Sequence, residues 1–294
     1  MMPYVQSGDV SLYLEETGAG TPIVFVHEFS GDYRSWEPQV RFFGRRYRCI
    51  VYNARGYPPS DVPEAPSLYS QDRAVADLLA VLDSLEIDRA HIVGVSMGGF
   101  TALHFGLAHP GRARSLAIGA VGYGTSHDDG WKTDVGNLAE FYRDDPLGAA
   151  TAHARAPGRI PFVLKDPRGW AEFADQLAEH PAIGSSNTMR GVQGQRPNLY
   201  DLEVELSALV APLLVVCGDE DDQCLEPSLY LKRTVPTAGL VVLPRTGHTL
   251  NLEEPARYNQ IVLEFLTLVD AGAWAPRDPR SVPGRNPLGT RDDN

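Results

Sequence analysis

Residues 90–110, AHIVGVSMGGFTALHFGLAHP, contain a short apolar run, a serine flanked by glycines, and a second apolar segment that stops at Pro110. The first part predicts a β-strand and the last part an α-helix. Ser96 then lies at a sharp strand-to-helix turn, where close backbone segments require small residues such as Gly94 and Gly98. Two interpretations are open here: a nucleophilic serine, or a tight turn with an inert serine.

The same alternation of strand and helix recurs on both sides of this stretch. Short apolar runs predict strands, and segments with apolar residues at helical spacing predict helices. Strands that are apolar on both faces and alternate with helices indicate an α/β fold with a mostly parallel sheet covered on both sides. The predicted strands are 11–17, 22–29, 47–56, 90–95, 113–121, 212–220 and 239–248; the predicted helices are 69–87, 97–110, 226–235 and 254–272.

The alternation breaks between residues 125 and 207, where helical pieces are separated by Pro and Gly. We interpret 125–207 as a helical cap inserted into a core formed by 1–124 and 208–272. The alternative is that these helices only thicken the core. The final segment, 273–294, is rich in Pro, Gly and charged residues, a composition typical of an extended tail.

The composition limits the partners and the compartment. The chain has 294 residues and a formal net charge of −12, which argues against nucleic acid or an anionic membrane as the main partner. The N-terminus has no basic region followed by an apolar stretch, so we expect a soluble, cytoplasmic protein. Its oligomeric state is not predicted.

The three cysteines, Cys49, Cys217 and Cys224, are too few and too widely spaced for a disulfide framework. Cys49 and Cys217 lie in strand-like apolar runs and are expected to be buried thiols. No Cys/His cluster has the spacing of zinc ligands, so no metal site is predicted.

A serine nucleophile requires a general base, and the base requires an acid that orients it. His248 follows the last predicted strand, in LPRTGHTLN, and four acidic residues follow the preceding strand, in VVCGDEDDQ. The chain order is therefore serine, acid, histidine. These partners favour a nucleophilic Ser96 over an inert one.

With these residues the chain resembles the α/β-hydrolase family, in its esterase, lactonase and C–C hydrolase branch. The resemblance extends from residue 3 to about residue 272 and depends on GVSMGG, CGDED, TGH, VFVHEFSGDYRSW and YNARGYPPSD. It implies an eight-stranded, mostly parallel sheet flanked by helices, with a helical cap. It also implies catalysis without a metal or an organic cofactor.

The resemblance assigns roles to particular residues. The catalytic acid is usually the fourth residue of a G-x-x-D stretch, which selects Asp221, with Asp219 or Asp222 as alternatives. Two backbone N–H groups are expected to form the oxyanion hole. One belongs to Met97, after the serine, and the other to Phe29, in the loop after the VFVH strand.

The chain departs from the family pattern at two positions near that loop. Glu28 stands where relatives usually have glycine, and Asn53 stands where many have aspartate. A carboxylate beside an oxyanion opposes the developing charge unless it is turned away or neutralised. Glu28 could bond the backbone or an arginine, order a water or shape specificity, or disable the hole. Our hypothesis is that Arg55 is the partner of Glu28.

The predicted cap is expected to line the substrate pocket. The pocket candidates, each with packing as the alternative role, are Glu28, Tyr123, Trp131, Phe162, Met189 and Arg190. For Arg190 the alternative to binding a substrate carboxylate is an ion pair on the surface or in the lid.

The predicted function is that of a serine hydrolase that cleaves a small to medium carboxylic ester or lactone through an acyl-enzyme. A serine nucleophile makes epoxide or halide chemistry unexpected, since relatives with those activities use aspartate there. C–C hydrolases usually have Asn before the serine and Trp after the histidine, where this chain has Val95 and Thr249. The alternatives are a C–C hydrolase, a thioesterase or a perhydrolase on the same triad, or a ligand receptor without turnover.

Overall fold

Eight strands form one central sheet in the structure, a computed structural model that describes residues 3–125 and 129–282. The order across the sheet is β1-β2-β4-β3-β5-β6-β7-β8. The bounds are β1 Tyr4–Ser7, β2 Val10–Thr17, β3 Pro22–Val26, β4 Arg48–Tyr52, β5 Ala90–Val95, β6 Ala113–Gly119, β7 Leu213–Gly218 and β8 Ala238–Leu243.

The sheet is mostly parallel. Only β2 runs antiparallel to its neighbours, β1 and β4, and every pair from β4 to β8 is parallel. The predicted eight-stranded α/β fold is therefore confirmed. The carboxyl ends of the parallel strands meet at one edge of the sheet, which is where residues that follow each strand come together.

Both faces of the sheet are buried from β3 to β7, which explains why these strands are apolar throughout, whereas β1 and β2 alternate. In β3, Ile23 and Phe25 pack into one core cluster, whereas Val24 and Val26 pack into the other. The period of two along the strand separates the two sets. The three cysteines are free and buried, as predicted for Cys49 and Cys217.

Helices cover the two faces and fill the segment between β6 and β7. The α-helices are α1 Glu37–Phe43, α2 Gln71–Ser84, α3 Met97–Ala108, α4 Asp129–Asp144, α5 Pro146–Ala154, α6 Ile160–Lys165, α7 Pro167–Ala178, α8 Ala182–Thr188, α9 Glu203–Ser207, α10 Asp222–Thr234, α11 Leu250–Glu253 and α12 Pro255–Asp270. A π-helical turn, Met189–Gln193, follows α8.

Helices α4 to α9 occupy the inserted segment, but the division of the chain into core and cap at 125 and 207 stays a prediction. The start of the predicted tail contacts the body: Trp274 packs edge-on against Phe265, and its Nε1–H donates to the Thr237 carbonyl at 2.8 Å. Residues 283–294 of that tail lie outside the described residues. None of the helices described is long and apolar enough to cross a membrane.

Candidate active site

Ser96 occupies a strained turn between β5 and α3. Its backbone has φ 54° and ψ −115°, in the region that favours glycine, and its N–H donates to the Gly119 carbonyl at 2.8 Å. A Cβ on Gly98 would lie 1.9 Å from the Val26 carbonyl oxygen, and one on Gly94 would lie 2.3 Å from the Gly98 oxygen. The two flanking glycines are therefore required by close backbone approach, as the sequence predicts.

His248 and Asp221 form a hydrogen-bonded pair at the same edge of the sheet. His248 Nδ1–H donates to Asp221 Oδ2 at 2.8 Å, and Asp221 is buried. Burial acts to raise the pKa of this carboxyl, but the charge and the hydrogen bond of His248 outweigh it, and the net pKa is lowered. With Nδ1 bonded to the acid, Nε2 is the nitrogen that remains for proton exchange.

The alternative acids take other positions. Asp219 Oδ1 accepts from the Thr246 N–H at 3.2 Å, and Asp222 is exposed at the start of α10. Of the three aspartates that the sequence leaves open, the structure brings Asp221 to His248.

The histidine loop lies beside the serine turn and touches the inserted segment. Leu250 packs against Gly119, with 3.3 Å from its methyl groups to a Cβ built there, and Gly119 accepts the Ser96 N–H. The His248 N–H donates to the Gly158 carbonyl at 2.6 Å. The two residues are also closely packed, since a Cβ on Gly158 would lie 3.3 Å from His248 Cβ. Gly158, which lies between α5 and α6, therefore fixes the backbone of His248.

The loop after β3, where Phe29 is the predicted oxyanion donor, is braced by an uncharged histidine. The predicted strand 22–29 ends earlier, at Val26, and the His27 ring then bonds the backbone of its own loop and that of the loop after β4. His27 Nδ1–H donates to the Glu28 carbonyl at 2.7 Å, and Nε2 accepts the Ala54 N–H at 3.0 Å. Burial lowers the His27 pKa to about 4, which keeps the ring neutral and able to accept.

Two further contacts fix this loop. The Tyr57 hydroxyl donates to the Phe29 carbonyl at 2.9 Å. Asn53 accepts the Tyr33 N–H and donates its own Nδ2–H to the Pro58 carbonyl, both at 2.7 Å. An aspartate could accept but not donate, so the substitution of Asn53 for the usual acid gains a hydrogen bond to the turn.

The predicted donors, Phe29 and Met97, lie in one apolar cluster. Met97 is the first residue of α3, where the backbone N–H has no partner within the helix. Across the described ranges, the Phe29 N–H donates to no backbone or side-chain acceptor. Both amides are therefore free to donate to a bound oxygen.

Glu28 is neutralised by Arg159 of the inserted segment, and the hypothesis that Arg55 is its partner is wrong. Arg159 Nη2–H donates to Glu28 Oε2 at 2.6 Å, and both side chains are buried. Arg55 instead forms a two-pronged pair with buried Asp77, at 2.8 and 2.6 Å. The Arg55 guanidinium is therefore already occupied.

The six pocket candidates separate into different environments. Trp131 and Met189 belong to the cluster of Phe29 and Met97, together with Tyr57, Tyr69, Val135, Ala139, Tyr142 and Val192, and we call this set the site cluster. Phe162 packs in a separate cluster with Phe173. Tyr123 is exposed beside Tyr200, and Arg190 pairs with Glu140 on α4. Phe162, Tyr123 and Arg190 therefore lie outside the site cluster. The sixth candidate, Glu28, pairs with Arg159.

Sequence reasoning missed His153 and Arg159. The His153 ring stacks on Phe29 at 5.5 Å between centroids, and its Nδ1 shares a 2.8 Å hydrogen bond with the Tyr142 hydroxyl. Burial, followed by the charge of Arg159, lowers the His153 pKa to about 3. No local sequence pattern indicates a role for His153. A buried Glu28 requires a cation as its partner, but the sequence does not indicate which of the 26 lysines and arginines supplies it.

Cys224 lies beside the acid–histidine pair, with Sγ 3.9 Å from His248 Nδ1. Within the described ranges, Asp221, Cys224 and His248 are the one group of His, Cys and carboxylate donors close enough to share a metal ion. Burial, then the charge of Asp221, raises the Cys224 pKa well above its usual value, so the thiol form dominates.

Comparison with known proteins identifies the family. A family model described as the alpha/beta hydrolase fold matches residues 21–255. The chain belongs to the alpha/beta hydrolase family. This confirms the resemblance drawn from the motifs around Ser96 and His248.

Three similar proteins illustrate the range within the alpha/beta hydrolases. The chain is 27% identical to 3-oxoadipate enol-lactonase 1 of Acinetobacter baylyi, over 83% of this chain and 88% of the relative. It is 30% identical to 2-hydroxymuconate semialdehyde hydrolase of Pseudomonas sp. CF600, over 88% and 92%. The solved structure of Est816, described as an N-acyl homoserine lactone degrading enzyme, matches with TM-score 0.75 and 28% identity, over 90% and 100%. These similarities support a hydrolase activity.

Proposed function

We propose that this alpha/beta hydrolase cleaves a carboxylic ester or lactone of a small to medium substrate through an acyl-enzyme on Ser96. The observation that carries the proposal is the His248–Asp221 hydrogen bond of 2.8 Å at the sheet edge where Ser96 occupies its strained turn. A serine held in such a conformation presents its hydroxyl above the sheet, at the N-terminus of α3.

In the first half of the reaction, Ser96 Oγ attacks the carbonyl carbon while His248 Nε2 takes the hydroxyl proton. The carbonyl oxygen becomes an oxyanion that accepts from the Phe29 and Met97 N–H groups. The C–O bond then breaks, and His248 returns the proton to the leaving alkoxide. With a lactone, the alcohol formed remains attached to the acyl chain.

In the second half, His248 takes a proton from water, and the resulting hydroxide attacks the acyl carbon. Collapse of this intermediate breaks the bond to Ser96 Oγ, returns the proton to the serine and releases the acid. Asp221 holds the imidazole in the required tautomer and stabilises its charged form. The proposed steps use only these groups and water.

The surroundings of the site favour an ester or lactone over a C–C bond. C–C hydrolases of this branch usually have Asn before the serine and Trp after the histidine, where this chain has Val95 and Thr249. Thr249 instead uses its Oγ1 to accept a hydrogen bond from Arg159 at 2.5 Å. The 30% identical semialdehyde hydrolase keeps C–C hydrolysis as the second candidate.

The test is a substrate panel of p-nitrophenyl esters, γ- and δ-lactones, and a 2-hydroxy-6-oxo-dienoate. We expect turnover of esters or lactones, with kcat/KM reduced at least about 10³-fold in Ser96→Ala. Ser207→Ala, which removes an exposed hydroxyl on α9, is the matched control and should retain full activity. Turnover confined to the dienoate would replace the proposal with the C–C alternative.

A further inference from the structure

Arg159 places a buried cation next to the candidate oxyanion loop. Its side chain reaches Glu28, Ser30 and Thr249, and its guanidinium lies 5.0 Å above the Phe173 ring. Ser30 belongs to the loop of Phe29, and Thr249 follows His248. One arginine of the inserted segment therefore contacts both loops that hold the proposed catalytic groups.

Glu28 cancels the charge of this arginine. Each carboxylate oxygen accepts from one guanidinium nitrogen, at 2.6 and 3.3 Å, so the planar fork is filled. The charge of Arg159 outweighs the opposing effect of burial, and the net pKa of Glu28 is lowered, so Glu28 is ionised at neutral pH. The pair is formally neutral.

Among the described basic groups near the site cluster, Arg190, His27 and His153 offer no free positive charge. Arg196, which lies over the Phe100 ring and bonds Gln193, is the exception. Arg190 is paired with Glu140. His27 and His153 have pKa values lowered to about 4 and about 3, chiefly by burial, and are neutral at pH 7. The remaining surface of the site cluster is aromatic and aliphatic.

A substrate carboxylate would meet an unfavourable site. It would lose its hydration beside the apolar side chains of the site cluster and find the guanidinium fork of Arg159 already filled. It would also be repelled by the ionised Glu28. An uncharged acyl group meets none of these opposing interactions.

We propose that Glu28 is a specificity-determining residue: by occupying Arg159 it restricts the site to substrates without a carboxylate near the scissile bond. The inference rests on the proposed ester or lactone hydrolysis and narrows its substrate class. It also gives a reason for glutamate at a position where glycine is usual. Removal of the Glu28 charge would leave Arg159 free to bind an anion.

The test compares two esters of equal chain length, p-nitrophenyl hexanoate and mono-p-nitrophenyl adipate, after subtraction of uncatalysed hydrolysis. We expect wild type to favour the hexanoate in kcat/KM by about 100-fold or more. Glu28→Gln should narrow this ratio at least tenfold, through a lower KM for the adipate. The double variant Glu28→Gln/Arg159→Met, which removes both charges, should return the ratio to the wild-type range.

The matched control is Glu16→Gln, which frees Arg48 between β2 and β4. We expect it to leave the ratio unchanged. A wild-type preference for the adipate would overturn the inference, as would an unchanged ratio in a folded Glu28→Gln variant. If wild type preferred the adipate and Arg196→Met abolished that preference, the anion site would be Arg196, a buried arginine that bonds Gln193 and has no carboxylate partner among the described residues.

Binding to Ser96→Ala separates this inference from the proposed reaction. If wild type hydrolyses none of the esters and lactones of the panel, the proposed function fails, but dissociation constants of the hexanoate and adipate esters for Ser96→Ala still test the specificity. We expect Ser96→Ala to bind the adipate ester at least tenfold more weakly than the hexanoate ester. The double variant Ser96→Ala/Glu28→Gln should bind the adipate ester more tightly than Ser96→Ala does. Equal binding of the two esters to Ser96→Ala would contradict the inference.

Discussion

Ser96 holds a backbone conformation that a glycine would adopt with less strain. The value φ 54° is uncommon for a residue with a Cβ, and strain of this kind is retained where the surrounding structure imposes it. Here the hydrogen bond from its N–H to Gly119 and the close packing of Gly94 and Gly98 fix the turn. The serine side chain therefore lowers the stability of the protein, and its proposed role as nucleophile explains why it is present.

Comparison of Ser96→Gly with Ser96→Ala measures that strain. Both variants lose the hydroxyl and should be inactive, but only glycine relieves the backbone. Glycine relieves strain of about 1–3 kcal/mol, but it also gives the unfolded chain more entropy, which offsets part of that gain. We therefore expect Ser96→Gly to be more stable than Ser96→Ala by about 1 kcal/mol. Urea unfolding measures the difference, and an alanine variant as stable as the glycine variant would contradict the argument.

At the scale of elements, the start of α3 rests directly on the end of β3. A Cβ on Gly98 would meet the carbonyl oxygens of Val26 at 1.9 Å and His27 at 2.7 Å. These contacts set the spacing between the Met97 N–H and the loop of Phe29. The geometry of the proposed oxyanion hole is therefore fixed by the packing of a helix on a strand.

Gly98→Ala should lower both stability and activity, since backbone atoms must move to admit the methyl group. We expect a loss of about 2–3 kcal/mol in the free energy of unfolding. Gly136→Ala, a helical glycine in α4 with nothing within 4 Å of its added Cβ, is the control and should gain up to about 1 kcal/mol. Equal unfolding midpoints for the two variants would be incompatible with this account of the turn.

Features set by short stretches of sequence were predictable, and those set by distant contacts were not. The short apolar run at 90–95 predicts β5, the apolar segment that stops at Pro110 predicts α3, and the glycines around Ser96 predict the turn. The pair of Glu28 and Arg159 joins residues 131 positions apart, and no local pattern encodes it. The same holds for His153 against Phe29, because the packing of helices in the inserted segment decides which side chains reach the loop.

At the scale of the whole molecule, buried neutral histidines tie stability to pH. His27 lies in the loop after β3, and His91 lies in β5, where it contacts Ser115 and Asp270. Burial lowers the pKa of each to about 4 from an unfolded value of 6.5. Between those values the unfolded chain binds more protons, so stability is complete above pH 6.5 and falls as the pH drops toward 4.

We expect these two histidines together to lower the free energy of unfolding by about 4 kcal/mol from pH 7 to pH 5. Two more buried histidines, His104 and His153, have pKa values lowered to about 4 and about 3 by burial and add to this fall. Urea unfolding at pH 5, 6 and 7 measures the slope. His91→Gln removes one of these four titrating groups and should reduce the slope by about a quarter. An unfolding free energy that is constant over this range would refute the assignment of buried neutral rings.

The most direct test of the central claim, that Ser96 is a nucleophile activated by His248 and Asp221, is labelling with a fluorophosphonate. Labelled peptides are mapped by mass spectrometry, and ester hydrolysis is measured in parallel. We expect one label on Ser96, loss of hydrolysis in proportion to labelling, and no label in Ser96→Ala. Ester hydrolysis that persists in Ser96→Ala, or a label on another residue that abolishes activity, would contradict it.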